Sequence, residues 1–423
     1  METPRVVISP IIYLRVCGIC DSPLLPGLKA IYIPDNNDAI DFASAILLVL
    51  GASLNVVELN NSAISEKNFF IPFLTSLAAK SPQIGRLALR GTENISLEHV
   101  YRLTNLQRLE IRLSGTYLYP QTLRRLGNLV DLSDLTLDVG ASMPVPDMDT
   151  RLPAPSPSSI RTYGRLRKLH IIGIPSSITR VLDDINLASL TALVIDETLD
   201  NDTGEHAESF WRRCFYQISV CHVIEDIEIN QSTNRHWRHH EYYSLSTSWF
   251  VSLLNLKNMK SLAINGLALS GSDEDFHVLA GAFPKLKKLI VPSEYYSHGR
   301  TVASLFYFAQ KCPDLREVKI CLAFDIHKNL DAIQKLPHTI RVNRRHPLEK
   351  LYINSEFGEI LQPIHMVQVA QFLDLYFPNL SILETYDSNT TETSNWTGIQ
   401  QIRVALQASR IDGIRRAKSE KRN

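Results

Sequence analysis

A six-residue phrase, Leu-x-x-Leu-x-Leu with Ile, Val, Met or once Thr tolerated, recurs thirteen times along the 423-residue chain. Its copies are Leu28-Ile31-Ile33, Leu54-Val57-Leu59, Ile84-Leu87-Leu89, Leu106-Leu109-Ile111, Leu132-Leu135-Leu137, Leu166-Leu169-Ile171, Leu190-Leu193-Ile195, Ile224-Ile227-Ile229, Met259-Leu262-Ile264, Leu286-Leu289-Val291, Leu315-Val318-Ile320, Leu348-Leu351-Ile353 and Leu380-Leu383-Thr385. First positions are 22 to 35 residues apart and average about 29, a repeat period. The last two apolar positions are two residues apart, so they fall on one side of a short strand. Polar residues fill the gaps, as in Arg108 and Glu110, Lys168 and His170, or Arg316 and Lys319. That alternation describes a half-buried strand with a wet outer face.

Helix-like stretches lie between the hexads: Asp41–Leu50, Asn68–Lys80, Ser209–Cys221, Ser248–Leu256, Glu274–Phe283, Ala303–Lys311 and Val367–Phe377. Several run into one phrase, namely Ser81-Pro82-Gln83-Ile84, Phe283-Pro284-Lys285-Leu286, Cys312-Pro313-Asp314-Leu315 and Phe377-Pro378-Asn379-Leu380. Proline just past a helix stops it, and the strand follows. Strands alternating with helices imply a parallel sheet. The expected fold is an α/β leucine-rich-repeat solenoid, a ribonuclease-inhibitor-like horseshoe of about thirteen strand–helix repeats with the parallel sheet on the concave face.

This pattern divides the chain into an N-terminal capping segment (1–21), a solenoid (22–397) and a basic C-terminal tail (398–423). Two stretches interrupt the solenoid. Residues 140–160, GASMPVPDMDTRLPAPSPSSI, carry five prolines and are expected to form an inserted loop. Residues 230–246 hold His236, His239 and His240 beside Trp237, Arg238, Tyr242 and Tyr243. His236 and His240 would share a helix face, but nothing nearby beyond Glu241 completes a metal site. Trp237, Arg238 and Tyr242 instead have the composition of an interface anchor, with a solvated loop as the plainer expectation. From Arg403 onward the tail carries seven Arg or Lys against two acids. It is expected to be an untied end, with a nuclear-import patch as the alternative.

Composition narrows function further. Lys plus Arg number 44 and Asp plus Glu 44, so the net charge is zero, which argues against a dedicated nucleic-acid binder. The longest uncharged stretch, Phe42–Val57, is too short to span a bilayer. The start has no secretory signal pattern. Six cysteines are sparse, and the Cys17-Gly-Ile-Cys20 pair has no second ligand pair to make a zinc site. The chain is therefore expected to be cytoplasmic or nuclear, and its six Asn-x-Ser/Thr sequons to be chance matches. No phosphate-binding glycine loop, nucleophile elbow or His-Glu-x-x-His pair occurs, so no enzyme, cofactor or metal is expected.

The working surface is then the wet side of the strands. It is formed by the third and fifth residues of each hexad and the one that follows. Arg86, Arg90, Arg108 and Arg112 make a basic block with Glu110 among them, and Lys168 and His170 lie further along. Asp134, Asp138, Asp196, Asp226 and Glu228 make an acidic block. Lys288, Lys319, Lys350 and Tyr352 make a second basic block around Glu317. Single-sign blocks select a partner more than they stabilise a fold.

Leu47-Leu48-Val49-Leu50-Gly51-Ala52-Ser53-Leu54 resembles the LLGPSLRxL segment of fungal, basidiomycete-like F-box proteins with leucine-rich repeats, and Cys312–Ile320 resembles the repeat phrase of the same class. The resemblance spans roughly residues 20–390. It implies a non-enzymatic protein-binding module similar to the substrate-holding half of a ubiquitin-ligase receptor. The F-box, which binds the Skp adaptor in that class, has no counterpart ahead of Leu28, so adaptor binding would need sequence upstream. The alternatives are a regulatory repeat protein acting on a GTPase through an arginine, a free-standing repeat scaffold, or a nucleic-acid binder acting through the basic tail.

Overall fold

The computed structural model describes residues 23–33, 43–60, 70–91, 97–113, 120–140, 163–198, 207–231, 244–246, 251–266, 268–292, 300–322, 326–336, 346–354, 361–385 and 390–420. Cys17, Cys20, the insertion beyond Gly140 and the Trp237 loop lie outside them. The chain divides into two compact units, Met1–Asp202 and Thr203–Asn423.

Each hexad occupies a strand. In the first unit these are β1 (Ala30–Ile33), β2 (Val56–Asn60), β3 (Arg86–Gly91), β4 (Arg108–Leu113), β5 (Asp134–Asp138), β6 (Lys168–Gly173) and β7 (Ala192–Glu197). Every consecutive pair is parallel and in hexad register, for example Leu87 opposite Leu109 and Leu109 opposite Leu135. In the second unit they are β8 (Asp226–Gln231), β10 (Ser261–Asn265), β12 (Lys288–Val291), β13 (Glu317–Cys321), β14 (Lys350–Asn354) and β15 (Ile382–Thr385), again parallel in that order. Two short strands, β9 (Ser244–Ser246) and β11 (Ala268–Ser270), pair separately. The architecture within each unit is that of an α/β leucine-rich-repeat solenoid.

A backbone pattern repeats with the sequence. The leading hexad residue donates its N–H to the carbonyl three residues earlier, as from Leu54 to Gly51 at 3.1 Å, Leu106 to Leu103 at 3.1 Å and Leu315 to Cys312 at 3.2 Å. This tight turn follows the helix and drops the leading apolar side chain inward. From Leu54 to Leu380, every leading residue is at most 2% exposed. The carbonyl of the second hexad residue then accepts two N–H groups from the next repeat. Asn55 O takes those of Gly85 and Arg86 at 2.9 and 3.0 Å, and Glu225 O takes those of Lys260 and Ser261 at 2.7 and 3.0 Å. Asparagine just before the leading residue adds a side-chain rung to the previous repeat. Asn105 donates to Pro82 O, Asn258 to His222 O and Asn379 to His346 O, at 2.8, 3.1 and 3.0 Å.

His346 replaces part of this pattern. It is fully buried; its Nδ1 accepts from the Leu348 N–H and its Nε2 lies 3.0 Å from Cys312 O. With Nδ1 accepting, the ring hydrogen sits on Nε2 and points at that carbonyl. Burial lowers the imidazole pKa and outweighs the hydrogen bond to Cys312, which alone would raise it.

Among the described residues, helices and 3-10 turns connect the strands. The first unit has α1 (Ala43–Val49), α2 (Phe70–Lys80), α3 (Pro120–Leu126) and α4 (Pro175–Asp184), with a 3-10 turn over Leu97–Arg102. The second has α5 (Ala207–Ser219), α6 (Asp273–Ala282), α7 (Ala303–Lys311), α8 (Ile326–Lys335), α9 (Pro363–Tyr376) and α10 (Thr390–Glu420). The expected helix over Ser248–Leu256 is, within the described residues, a 3-10 turn at Val251–Asn255. Cys214, Cys221, Cys312 and Cys321 are buried, and burial pushes the Cys221 and Cys312 thiols up to about 12, as for small core hydrophobes.

The C-terminal tail corrects the expectation of an untied end. Residues 390–420 form one helix, and no boundary falls at Gly398. Trp396, Ile399 and Arg403 are buried on its inner face. Gly398 lets α10 approach α9, because a Cβ there would meet Met366 Sδ at 3.0 Å. Arg410 pairs with Asp374 on α9 at 3.0 Å. Two α10 amides also serve the last repeat. Gln400 Nε2 donates to Ser381 O at 3.4 Å and Gln407 Nε2 to Pro378 O at 2.9 Å. Ser381 holds the second hexad position, whose carbonyl elsewhere receives the next repeat's N–H groups. Pro378 O corresponds to the carbonyl that the asparagine rungs engage. Helix α10 thus supplies the hydrogen bonds of a following repeat from its side chains.

Candidate interaction surface

Register sorts the outer-face residues of the first unit into three columns. One runs Val56, Arg86, Arg108, Asp134, Lys168, Ala192; the next Tyr32, Glu58, Ala88, Glu110, Thr136, His170, Val194. The third contains Asn60 beside Arg90 beside Arg112, and then Asp138 beside Ile172 beside Asp196. Arg86, Arg90, Arg108 and Arg112 are therefore brought together on two adjacent strands.

They do not stand as bare cations. Ala88 lies between Glu58 and Glu110 in its column, and the flanking arginines reach those carboxylates. Arg86 Nη2 is 2.8 Å from Glu58 Oε1. Arg90 donates through Nε and Nη2 to the two Glu110 oxygens at 2.7 and 2.9 Å, a bidentate fork. Arg112 Nε is 2.7 Å from the same Glu110 Oε1, as an ion pair. Arg108 has the loosest partner, Asp134 at 3.7 Å, and the greatest exposure, 63%. Burial would raise the Glu110 carboxyl, but the hydrogen bonds from Arg90 and the charges of Arg90, Arg112 and Arg86 outweigh it and hold it low. The hydrogen bond with Glu110 raises the Arg90 guanidinium in turn, against a lesser effect of burial. The block is a braced cluster with a surplus of positive charge.

Further along the same unit, Asp134 lies beside Lys168 in register, and His170 Nε2 meets Asp196 Oδ2 at 2.6 Å. Asp138 Oδ1 accepts the Gly140 N–H at 3.0 Å. In the second unit Asp226 and Glu228 are exposed on β8. Lys288, Glu317 and Lys350 follow one another in one column, and Lys319 stands beside Tyr352 in the next. This second basic block is interleaved with acid along its column.

Two features had weaker sequence signals. Glu197, the last residue of β7 opposite Gly173, is 6% exposed and its Oε2 has no hydrogen-bond partner among the described residues. Burial pushes its pKa up to about 7. In the second unit a cleft of about 580 Å3 opens among α6, α7 and α8. Asp273 at its edge is already engaged by the Thr301 N–H, Thr301 Oγ1 and Ser304 Oγ, at 2.8, 2.7 and 2.6 Å. His277 stacks on Tyr307 with ring centroids 4.5 Å apart. Among the described residues no three His, Cys, Asp or Glu side chains converge as metal ligands, and no helix is long and apolar enough to cross a membrane.

No protein-family model matches the sequence, and no curated protein matches it. Among solved structures, an internalin (inlF) of Listeria monocytogenes is similar at 14% identity and a TM-score of 0.42, over 82% of this chain and 83% of that one. Internalin C2 (inlC2) of the same species is similar at 16% identity and a TM-score of 0.29, over 52% of this chain and 80% of that one. The fold assignment rests on the strand register and repeat turns described above.

Proposed function

We propose that the chain is a non-enzymatic protein-interaction module that binds its partner on the outer face of its strands. The observation that carries this reading is the braced arginine cluster of β3 and β4. Four guanidiniums are fixed on a rigid sheet, each 37–63% exposed. Exposed ion pairs contribute little to folding, about 0–1 kcal/mol each, so such a cluster serves recognition better than stability. Reversing Arg86, Arg108 and Arg112 together to glutamate is expected to abolish capture of partner proteins while leaving the thermal midpoint within a few degrees. Undiminished capture by the triple variant would overturn the assignment of this surface.

The finer reading is that such a module holds the substrate of a cullin–RING ubiquitin ligase. It is supported by the resemblance of Leu47–Leu54 and Cys312–Ile320 to fungal F-box repeat proteins. Expression of the complete transcript, including any coding sequence ahead of Met1, should then recover a Skp-type adaptor in stoichiometric amount. A complete product that leaves the adaptor behind would remove the ligase from the reading and leave the binding module.

A further inference from the structure

The strand face of the first unit is electrically two-sided. On β2 to β4, four arginines face two carboxylates, Glu58 and Glu110, leaving a positive surplus. On β5 to β7 the charged outer-face residues are Asp134, Asp138 and Asp196 against Lys168, with His170 held on Asp196. The surplus there is negative. Neighbouring parallel strands lie about 4.8 Å apart, so the centres of the two halves, three strands apart, are separated by about 14 Å. An extended chain covers that distance in about four residues.

We propose that this face holds an extended protein segment with a cluster of carboxylates and a cluster of Lys or Arg about four residues apart. The segment lies across the strands, its acidic part on Arg86, Arg90, Arg108 and Arg112 and its basic part on Asp138 and Asp196. This deepens the interaction-module reading and rests on it. The chemistry excludes a continuous polyanion, because nucleic acid on the arginines would carry its next phosphates over Asp138 and Asp196. It favours carboxylates over a bare charge count, because the guanidiniums are held as planar forks, as the bidentate Arg90–Glu110 pair displays. Glu110 braces Arg90 and Arg112 before any partner arrives, so little side-chain freedom is lost on binding.

The test is fluorescence anisotropy on the full chain with labelled peptides. The first has a triglutamate and a trilysine joined by a single glycine, so that the two cluster centres are about four residues apart, and it is made in both chain directions. The second is a scramble of the same composition, the third is all glutamate, and a single-stranded RNA completes the set. One direction of the spaced peptide is expected to bind at least about tenfold more tightly than its scramble. Arg108→Glu with Arg112→Glu should weaken it about tenfold or more, and Arg108→Lys with Arg112→Lys far less. Arg90 keeps Glu110 paired in both variants, so the fold is preserved. The scramble comparison needs no variant at all. Equal binding of the scramble or the all-glutamate peptide, or tighter binding of RNA, would overturn the proposal. If no peptide binds while the triple reversal still abolishes partner capture, this inference falls and the interaction module stands.

Discussion

Replacing Phe308 with alanine is expected to lower the stability of the second unit by about 3–5 kcal/mol. Phe308 is fully buried on α7, and its ring meets Phe276 of α6 edge to face, with centroids 6.0 Å apart and planes 82° apart. Edge-to-face aromatic pairs add to what area burial alone provides. Truncation removes that pair and leaves a cavity between two helices anchored separately by the Asp273 hydrogen bonds to Thr301 and Ser304, which limits collapse. The chain's four tryptophans, at 211, 237, 249 and 396, all belong to the second unit, and Trp211 and Trp396 are buried. Their fluorescence during denaturant unfolding therefore reports on this unit. A loss below about 1 kcal/mol would mean that the aromatic layer is not a close-packed core.

Glu197→Gln is expected to stabilise the first unit in a strongly pH-dependent way. The folded-state pKa, about 7, is raised above the ordinary value of 4.5 by burial. The folded state therefore binds the proton more tightly than the unfolded chain. Its stability benefit is fully present below about pH 4.5 and is lost as pH rises through about 7. At pH 8 wild type carries a buried charge whose cost is on the order of 3 kcal/mol. Glutamine removes the titration, so the variant should differ little from wild type near pH 4.5, gain steadily to about pH 7 and hold that gain above it. Circular dichroism of denaturant unfolding at pH 5 and pH 8 measures the difference. A gain that is the same at both values would show that the carboxyl is solvated.

The strands were legible because a period of two with buried Leu, Ile and Val is an unambiguous pattern. Even the weak copies at Leu28, Met259 and Leu380 lead strands in register. Helices were less so. Those with long apolar runs stood out, such as Phe70–Lys80 and Ala303–Lys311. Pro120–Leu126 and Ile326–Lys335 are short or mostly polar, and form because a helix is the economical return path between registered strands. In α10 the helical spacing of Trp396, Ile399 and Arg403 carries the burial, a pattern masked in the sequence by the basic residues that follow. The candidate surface was legible as positions and not as pairings. Arg86, Arg108 and their neighbours fall where the hexad puts them, but the carboxylate each one meets is set by register between repeats, which no single repeat encodes. The asparagine rungs were missed for the same reason: one polar residue ahead of a leucine looks like surface until the carbonyl it reaches is known.

The glutamines of α10 have a consequence for self-association. An exposed parallel edge invites pairing with other chains, since its acceptors are unoccupied. In the turn leading into β15 the carbonyls of Ser381 and Pro378 are already taken, by Gln400 and Gln407, and the 31-residue helix packs beside the strand. This end of the array is thereby covered by its own helix, and a chain cut before Thr390 would be tacky there.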